Sequence, residues 1–217
     1  MRRHLTALAT LIVLAFLTGC VSKARFPAYY TLHVPPAVNV PIAGGTRSSL
    51  AVREFRSPAY LHQGAIVYRP SAEQVGFYEY HRWAVDPREF LTNTVIDRLR
   101  ATGRFAEVSA YDGRSDVDFI LGGSLEKLEE VDYEGGVKVE VELSAQITDS
   151  RSGKTIWANA ASESAQVHKR TVPAVVAEMS QAMDRAIQKL LASLPVPTTT
   201  SLTPLLPQVT PHPGRSG

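Results

Sequence analysis

From Val137 to Ile147 the chain alternates without a break. Val137, Val139, Val141, Leu143, Ala145 and Ile147 fall on one side, and Lys138, Glu140, Glu142, Ser144 and Gln146 fall on the other. Period two over this length specifies a strand with one buried and one solvated face. A sheet that is wet on one side is the habit of antiparallel pairing. "DSRSGK" supplies a turn after it, and "TIWANAASESAQV" returns as the hairpin partner. The buried face then needs a cover, and the sequence provides two helices.

The first helix follows Asp86. Asp86 suits the N-cap, Pro87 the first turn, and Glu89 completes a pattern like a capping box. Leu91, Val95 and Leu99 recur at helical spacing, and Gly103 falls where a left-handed residue ends a helix. The second helix begins between Thr171 and Pro173, and its apolar stripe runs through Val172, Val175, Val176, Met179, Met183, Ile187, Leu190 and Leu194. Core packing is the expected role of the two methionines. "YYTLHV", "LAVREF", "AIVYR", "VGFYEYHRW", "FAEVSAY" and "VDFILGGSLEKLEEV" read as further strands, with Gly122-Gly123 marking a bulge or a close backbone approach. "RSPAYLHQG" reads as a connection. The predicted fold class is therefore α+β: a two-layer sandwich of a largely antiparallel sheet with two amphipathic helices packed on one face.

The start of the chain has a different character. Arg2 and Arg3 precede an apolar run from Leu5 to Leu17, and Leu17-Thr18-Gly19-Cys20 follows. The run has the length of a secretory h-region and is too short to span a bilayer. Cys20 is the only cysteine. A lone cysteine can pack in a core, act as a nucleophile or carry a lipid; here the tetrapeptide resembles a bacterial lipobox. A thiol at that place can be alkylated to a diacylglyceryl thioether, with palmitate added to the amine freed by cleavage. The expected organisation is a lipoprotein signal peptide over 1–19, a lipidated tether over 20–28, a folded domain over 29–194 and a disordered Pro/Thr-rich tail over 195–217. Two or more acyl chains anchor a protein stably, where one does so only marginally. Val21 is not acidic, which favours the outer membrane, periplasmic face, over retention at the inner membrane.

The 217 residues are 44% hydrophobic, enough for one domain with its own core. The chain has 23 basic and 21 acidic residues, and once the leader with Arg2 and Arg3 is gone the two signs balance. No broad electrostatic case for nucleic acid remains. With no second cysteine there is no disulfide framework.

Candidates for chemistry are few. His33, His62, His81, His168 and His212 form no close metal-binding pair, and no P-loop, GxSxG elbow or dinucleotide fingerprint is present. Ser124 within "GGSLE" is a weak nucleophile candidate. Glu126, Glu129, Glu130, Asp132 and Glu134 cluster without calcium-loop spacing and read as a solvated strand end. Asp112, Asp116 and Asp118 around Gly113 read as a turn. No catalytic, cofactor or metal residues are expected, and the chain reads as a non-enzyme. "YRPSAEQVGFYEYHRW" packs aromatics against arginines, the composition that protein interfaces use for anchors. The alternative is that alternate members of this strand, Phe77 and Trp83 among them, face the core.

In order along the chain, "LTGC", "YYTLHVP", "LAVREFRSPAYLHQGAIVYR", "YEYHRWAVDPREFLTNTVIDRLRATGRFAEV" and "VEVELSAQITDSRSGKTIWA" resemble the ABC-type transport auxiliary lipoproteins, the PqiC-like family. The resemblance runs from about Tyr29 to Leu194. It implies an outer-membrane lipoprotein that accompanies an MCE-domain protein in lipid transport between the inner and outer membranes, without catalytic residues. The resemblance covers Tyr60, Leu61, Tyr68, Arg69, Arg82 and Trp83, and with Tyr78 and Tyr80 from the aromatic stretch these make up the candidate partner surface. Whether the domain also holds a phospholipid, or assembles as a homo-oligomer, stays open at this level. A structural envelope lipoprotein, tethering the outer membrane to peptidoglycan or an assembly machine, is the alternative function.

Overall fold

A computed structural model describes residues 25–37, 47–114, 116–133 and 135–194. Cys20, the leader before it, Glu134 and the tail over 195–217 lie outside the described residues. In chain order the elements are β1 (Ala28–Tyr30), β2 (Ser49–Val52), a 3-10 turn (Ala59–Gln63), β3 (Ala65–Arg69), β4 (Gly76–Trp83), α1 (Pro87–Thr102), β5 (Glu107–Ala110), β6 (Phe119–Val131), β7 (Lys138–Asp149), β8 (Thr155–Gln166) and α2 (Val172–Ala192).

The alternation in β7 does what its period requires. Val137 to Ile147 are buried on the odd face, while Lys138, Glu140, Glu142 and Ser144 are half-exposed and Gln146 exposed on the other. β7 pairs antiparallel with β6 on one side and β8 on the other, along almost the whole length of each. The β7–β8 turn is held by Asp149, whose Oδ1 accepts from the amides of Arg151 and Ser152, and Gly153 closes it at φ 70°.

The other edge of β6 is shared. Its first residues, Phe119–Leu121, pair in parallel with β2, and its last, Glu130 and Val131, pair in parallel with β3. Between them, among the described residues, strand pairing on this edge is reduced to the isolated bridge Arg56–Ser124. β5 extends the β2 branch in parallel. β4 extends the β3 branch antiparallel, and β1 lies parallel outside β4. The eight strands thus form one mixed sheet that forks along β6. The long ladders are antiparallel, and four short pairings are parallel: β2 and β3 run in the direction of β6, β5 in that of β2, and β1 in that of β4.

Both helices cover the buried face. α2 lies over β7 and β8, and α1 packs beside β5. Val175, Met179, Met183, Ile187 and Leu190 of α2 are buried with Leu91, Val95 and Leu99 of α1 in one cluster. Each large side chain so removed from water contributes about 1.5–3 kcal/mol. Arg98 of α1 ties the layer laterally, donating to Asp184 at 2.7 Å and to the Pro35 carbonyl at 2.8 Å. α1 begins and ends where the sequence places it. Asp86 accepts from the Arg88 amide at 2.9 Å, the second helical residue rather than Glu89, and Gly103 stops the helix at φ 62°. The Arg88 guanidinium on Asp86 holds that carboxyl below the usual range.

Three elements differ from expectation. The first strand ends at Tyr30, because Leu32 turns into the core and Pro35-Pro36 follow. The connection after β2 contains the 3-10 turn, closed by Gly64 at φ 70°. The register slip in β6 lies between Leu125 and Lys127, not at the glycine pair. Gly123 is instead a close approach. A Cβ there would stand 2.3 Å from the Phe55 ring and 2.7 Å from the Ser144 carbonyl oxygen.

Candidate functional site

The aromatic strand β4 and its neighbours split the candidate residues into three groups. Leu61 and Trp83 belong to the core; Trp83 is 7% exposed. The placement of Trp83 follows its register, opposite Tyr30 on the covered side of the sheet. Neither side chain is available to a partner.

A second group is half-buried and organised by two carboxylates at the end of β6. Glu129 and Glu130 are consecutive, so they leave the strand on opposite faces. Glu129 pairs across to Glu140 on the solvated face, yet it is only 1% exposed. Arg69 covers it, its Nε donating to Oε1 at 2.6 Å, and the Tyr60 hydroxyl donates to Oε2 at 3.3 Å. The Arg69 guanidinium also lies 5.8 Å from the Tyr60 ring centre. Glu130 pairs across to Val139 on the covered face and is 6% exposed. The Tyr78 hydroxyl donates to its Oε2 at 2.8 Å. Tyr68 stacks at a tilt on Tyr78, ring centres 5.0 Å apart, and folds over Gly76, where no Cβ would fit. His81 meets the edge of Tyr78 and shares a 3.0 Å hydrogen bond with Tyr30. A carboxylate left unpaired at such depth is strongly destabilising, so each acid fixes the groups around it.

This overturns the reading of the acidic run as a solvated strand end. Asp132 is exposed, but Glu129 and Glu130 are buried because Arg69, Tyr60 and Tyr78 satisfy them. The signal was present: two adjacent acids inside a strand place one on each face, and a strand beside them carries an Arg and tyrosines. Asp118 likewise does more than turn the chain, accepting from both the amide and hydroxyl of Ser49 and so fastening β2 to β6.

The third group faces outward. Tyr80 and Arg82 sit on the uncovered side, Arg82 being exposed and donating to the Gln63 carbonyl at 3.3 Å. Arg25 lies over the Tyr80 ring at 5.9 Å.

Burial and Glu130 push the Tyr78 phenol well above its ordinary value, and burial and Glu129 raise Tyr60. The sign follows from linkage. Above about pH 10 the unfolded chain ionises these phenols while the folded chain does not, so stability falls as pH rises. The urea midpoint drops between about pH 9 and 11, and drops less in Tyr78→Phe, which at neutral pH costs about 1–2 kcal/mol for the orphaned Glu130. An equal drop in both proteins would exclude Tyr78 as the source.

Ser124 faces Ser144 across the β6–β7 ladder, and the Ser144 hydroxyl donates to Glu126 at 2.9 Å. With Arg53, Arg56 and Gln146 these residues line a shallow trough of about 670 Å³. Among the described residues no group of acids and histidines is placed to hold a metal ion. No described helix is long and apolar enough to cross a membrane.

The fold and this surface define a class, a two-layer α+β domain built on a mixed sheet with two covering helices. The sequence model for the ABC-type transport auxiliary lipoprotein component matches residues 30–190, and the chain belongs to that family. It is an auxiliary component of ABC-type transport. Among solved structures, the chain is similar to a Xanthomonas campestris protein of the DUF330 family, with 18% identity, TM-score 0.64, and coverage of 76% of this chain and 92% of that one. A second, an uncharacterized protein, is 19% identical with TM-score 0.59 and coverage of 77% and 97%. At these identities the likeness shows the fold. No curated protein matches the sequence.

Proposed function

We propose that the protein is a non-catalytic, lipid-anchored subunit at the periplasmic face of the outer membrane, docking the MCE-domain protein of an ABC-type lipid transport system. The observation that carries this reading is the family match, which spans the sheet and both helices from residue 30 to 190. Cys20 supplies the anchor and Val21 favours the outer membrane. The docking surface is the pair Tyr60 and Arg69 on the solvated face, whose polar ends are already fixed by Glu129, while Tyr68 and Tyr78 lie with Glu130 on the other face. Side chains ordered before binding lose little entropy on binding, and Tyr and Arg supply large contacts.

A photo-crosslinking amino acid in place of Tyr60, or of the exposed His62 two residues on, tests the proposal in cells. Capture of an MCE-domain protein is the expected result. Recovery of peptidoglycan or of unrelated envelope proteins alone would overturn it and favour a structural tether.

A further inference from the structure

The outward group on β4 continues into the start of the described chain. Phe26 is 86% exposed and Tyr29 63% exposed. Tyr29 lies opposite Arg82 in the β1–β4 register, and Arg25 covers the ring of Tyr80. The outward side of this edge therefore carries Tyr29, Tyr80 and Arg82 with Arg25 over it, and the exposed Phe26 is next to Arg25 in the chain. Glu79, next to Tyr80 in the strand, is the acid beside them.

Isolated exposed apolar residues are ordinary. What singles these out is where the chain goes next. Only four residues, Val21 to Ala24, separate Arg25 from Cys20, and one of them is Lys23. Six peptide units, at no more than about 3.6 Å each, keep the Phe26 Cα within about 22 Å of the Cys20 Cα. A lipid attached there brings this edge within reach of the headgroups. Aromatic rings at the headgroup level and basic side chains against anionic lipid are the chemistry of a membrane-water interface.

We infer that Arg25, Phe26, Tyr29, Tyr80 and Arg82 form a surface that lies on an anionic phospholipid bilayer and orients the domain upon it. The inference rests on lipidation of Cys20. It also places β8 on the side away from the membrane, since β1 and β8 are opposite edges of the sheet.

The test uses the full lipidated protein, reconstituted into vesicles of phosphatidylcholine and phosphatidylglycerol. Acylation blocks the sole native thiol, so Ala28→Cys and Ser162→Cys each give one reactive site; both residues are exposed, on β1 and β8. An environment-sensitive fluorophore at each is challenged with brominated lipid. Quenching about threefold stronger at position 28 than at 162 is expected, falling towards equality when Phe26→Ser and Tyr29→Ser are added. Equal quenching at both sites in protein that still floats with the vesicles overturns the proposal and leaves the anchor intact. Protein that neither floats nor incorporates palmitate in cells removes the anchor, and the proposal with it. Circular dichroism matching the native chain excludes misfolding of the variants as the cause.

Discussion

Placed behind an ordinary secretory leader, the mature chain with Cys20→Ser is recovered from the periplasm as soluble protein and takes up no labelled palmitate. The native chain is recovered with membranes. The expected difference is large, because one acyl chain gives a partition constant of about 10⁴ M⁻¹ and two or more make attachment stable. The described residues offer nothing to replace it: no helix there can cross a bilayer. The patch around Phe26 and Arg82 is worth only a few basic and aromatic contacts, too weak to hold the protein by itself against a salt wash. Retention of the serine variant on membranes, with palmitate still absent, would mean that a protein partner supplies the attachment. The ordinary leader matters to the design, since an uncleaved native leader would itself hold the chain.

The adjacent glycines of β6 give the second expected result. Gly123→Ala costs about 3 kcal/mol, and Gly123→Val leaves little folded protein, because overpacking against backbone has nowhere to relax. The new Cβ meets both the Phe55 ring and the Ser144 carbonyl. Gly122→Ala stays within about 0.5 kcal/mol, since nothing lies within 4 Å of a Cβ there. Urea denaturation of the two alanine variants separates them. Adding Phe55→Leu to Gly123→Ala restores part of the loss but not all, because the Ser144 oxygen remains. Equal costs at 122 and 123 would show that the approach of Phe55 and Ser144 does not set the requirement for glycine at 123.

Local signals in the sequence carried local structure. The alternation of Val137–Ile147, the cap and stop of α1 at Asp86 and Gly103, and the stripe of α2 each arise from neighbours along the chain, and each is present as read. The parallel pairings of β2 and β3 with β6 were hidden, because they join residues about 60 or 70 apart and leave no periodic trace. The candidate surface suffered in the same way. Composition marked the stretch from Tyr68 to Trp83 as aromatic and basic, but not which face each ring would take. Trp83 went to the core through its pairing with Tyr30, Arg69 and Tyr78 were committed to Glu129 and Glu130, and only Tyr80 and Arg82 remained outward. The two buried acids looked like solvent-facing charge because their partners come from β3, β4 and the 3-10 turn, all distant in sequence.

The forked sheet has a mechanical consequence. The β2–β5 branch and the β3–β4–β1 branch meet at β6, with Arg56 bridging the gap between them. Either branch can therefore loosen while the other, and the β6–β7–β8 ladder, stay closed. Amide protons of β5 and β1 should be the first to exchange with deuterated solvent, and those in the middle of β6 and β7 the last.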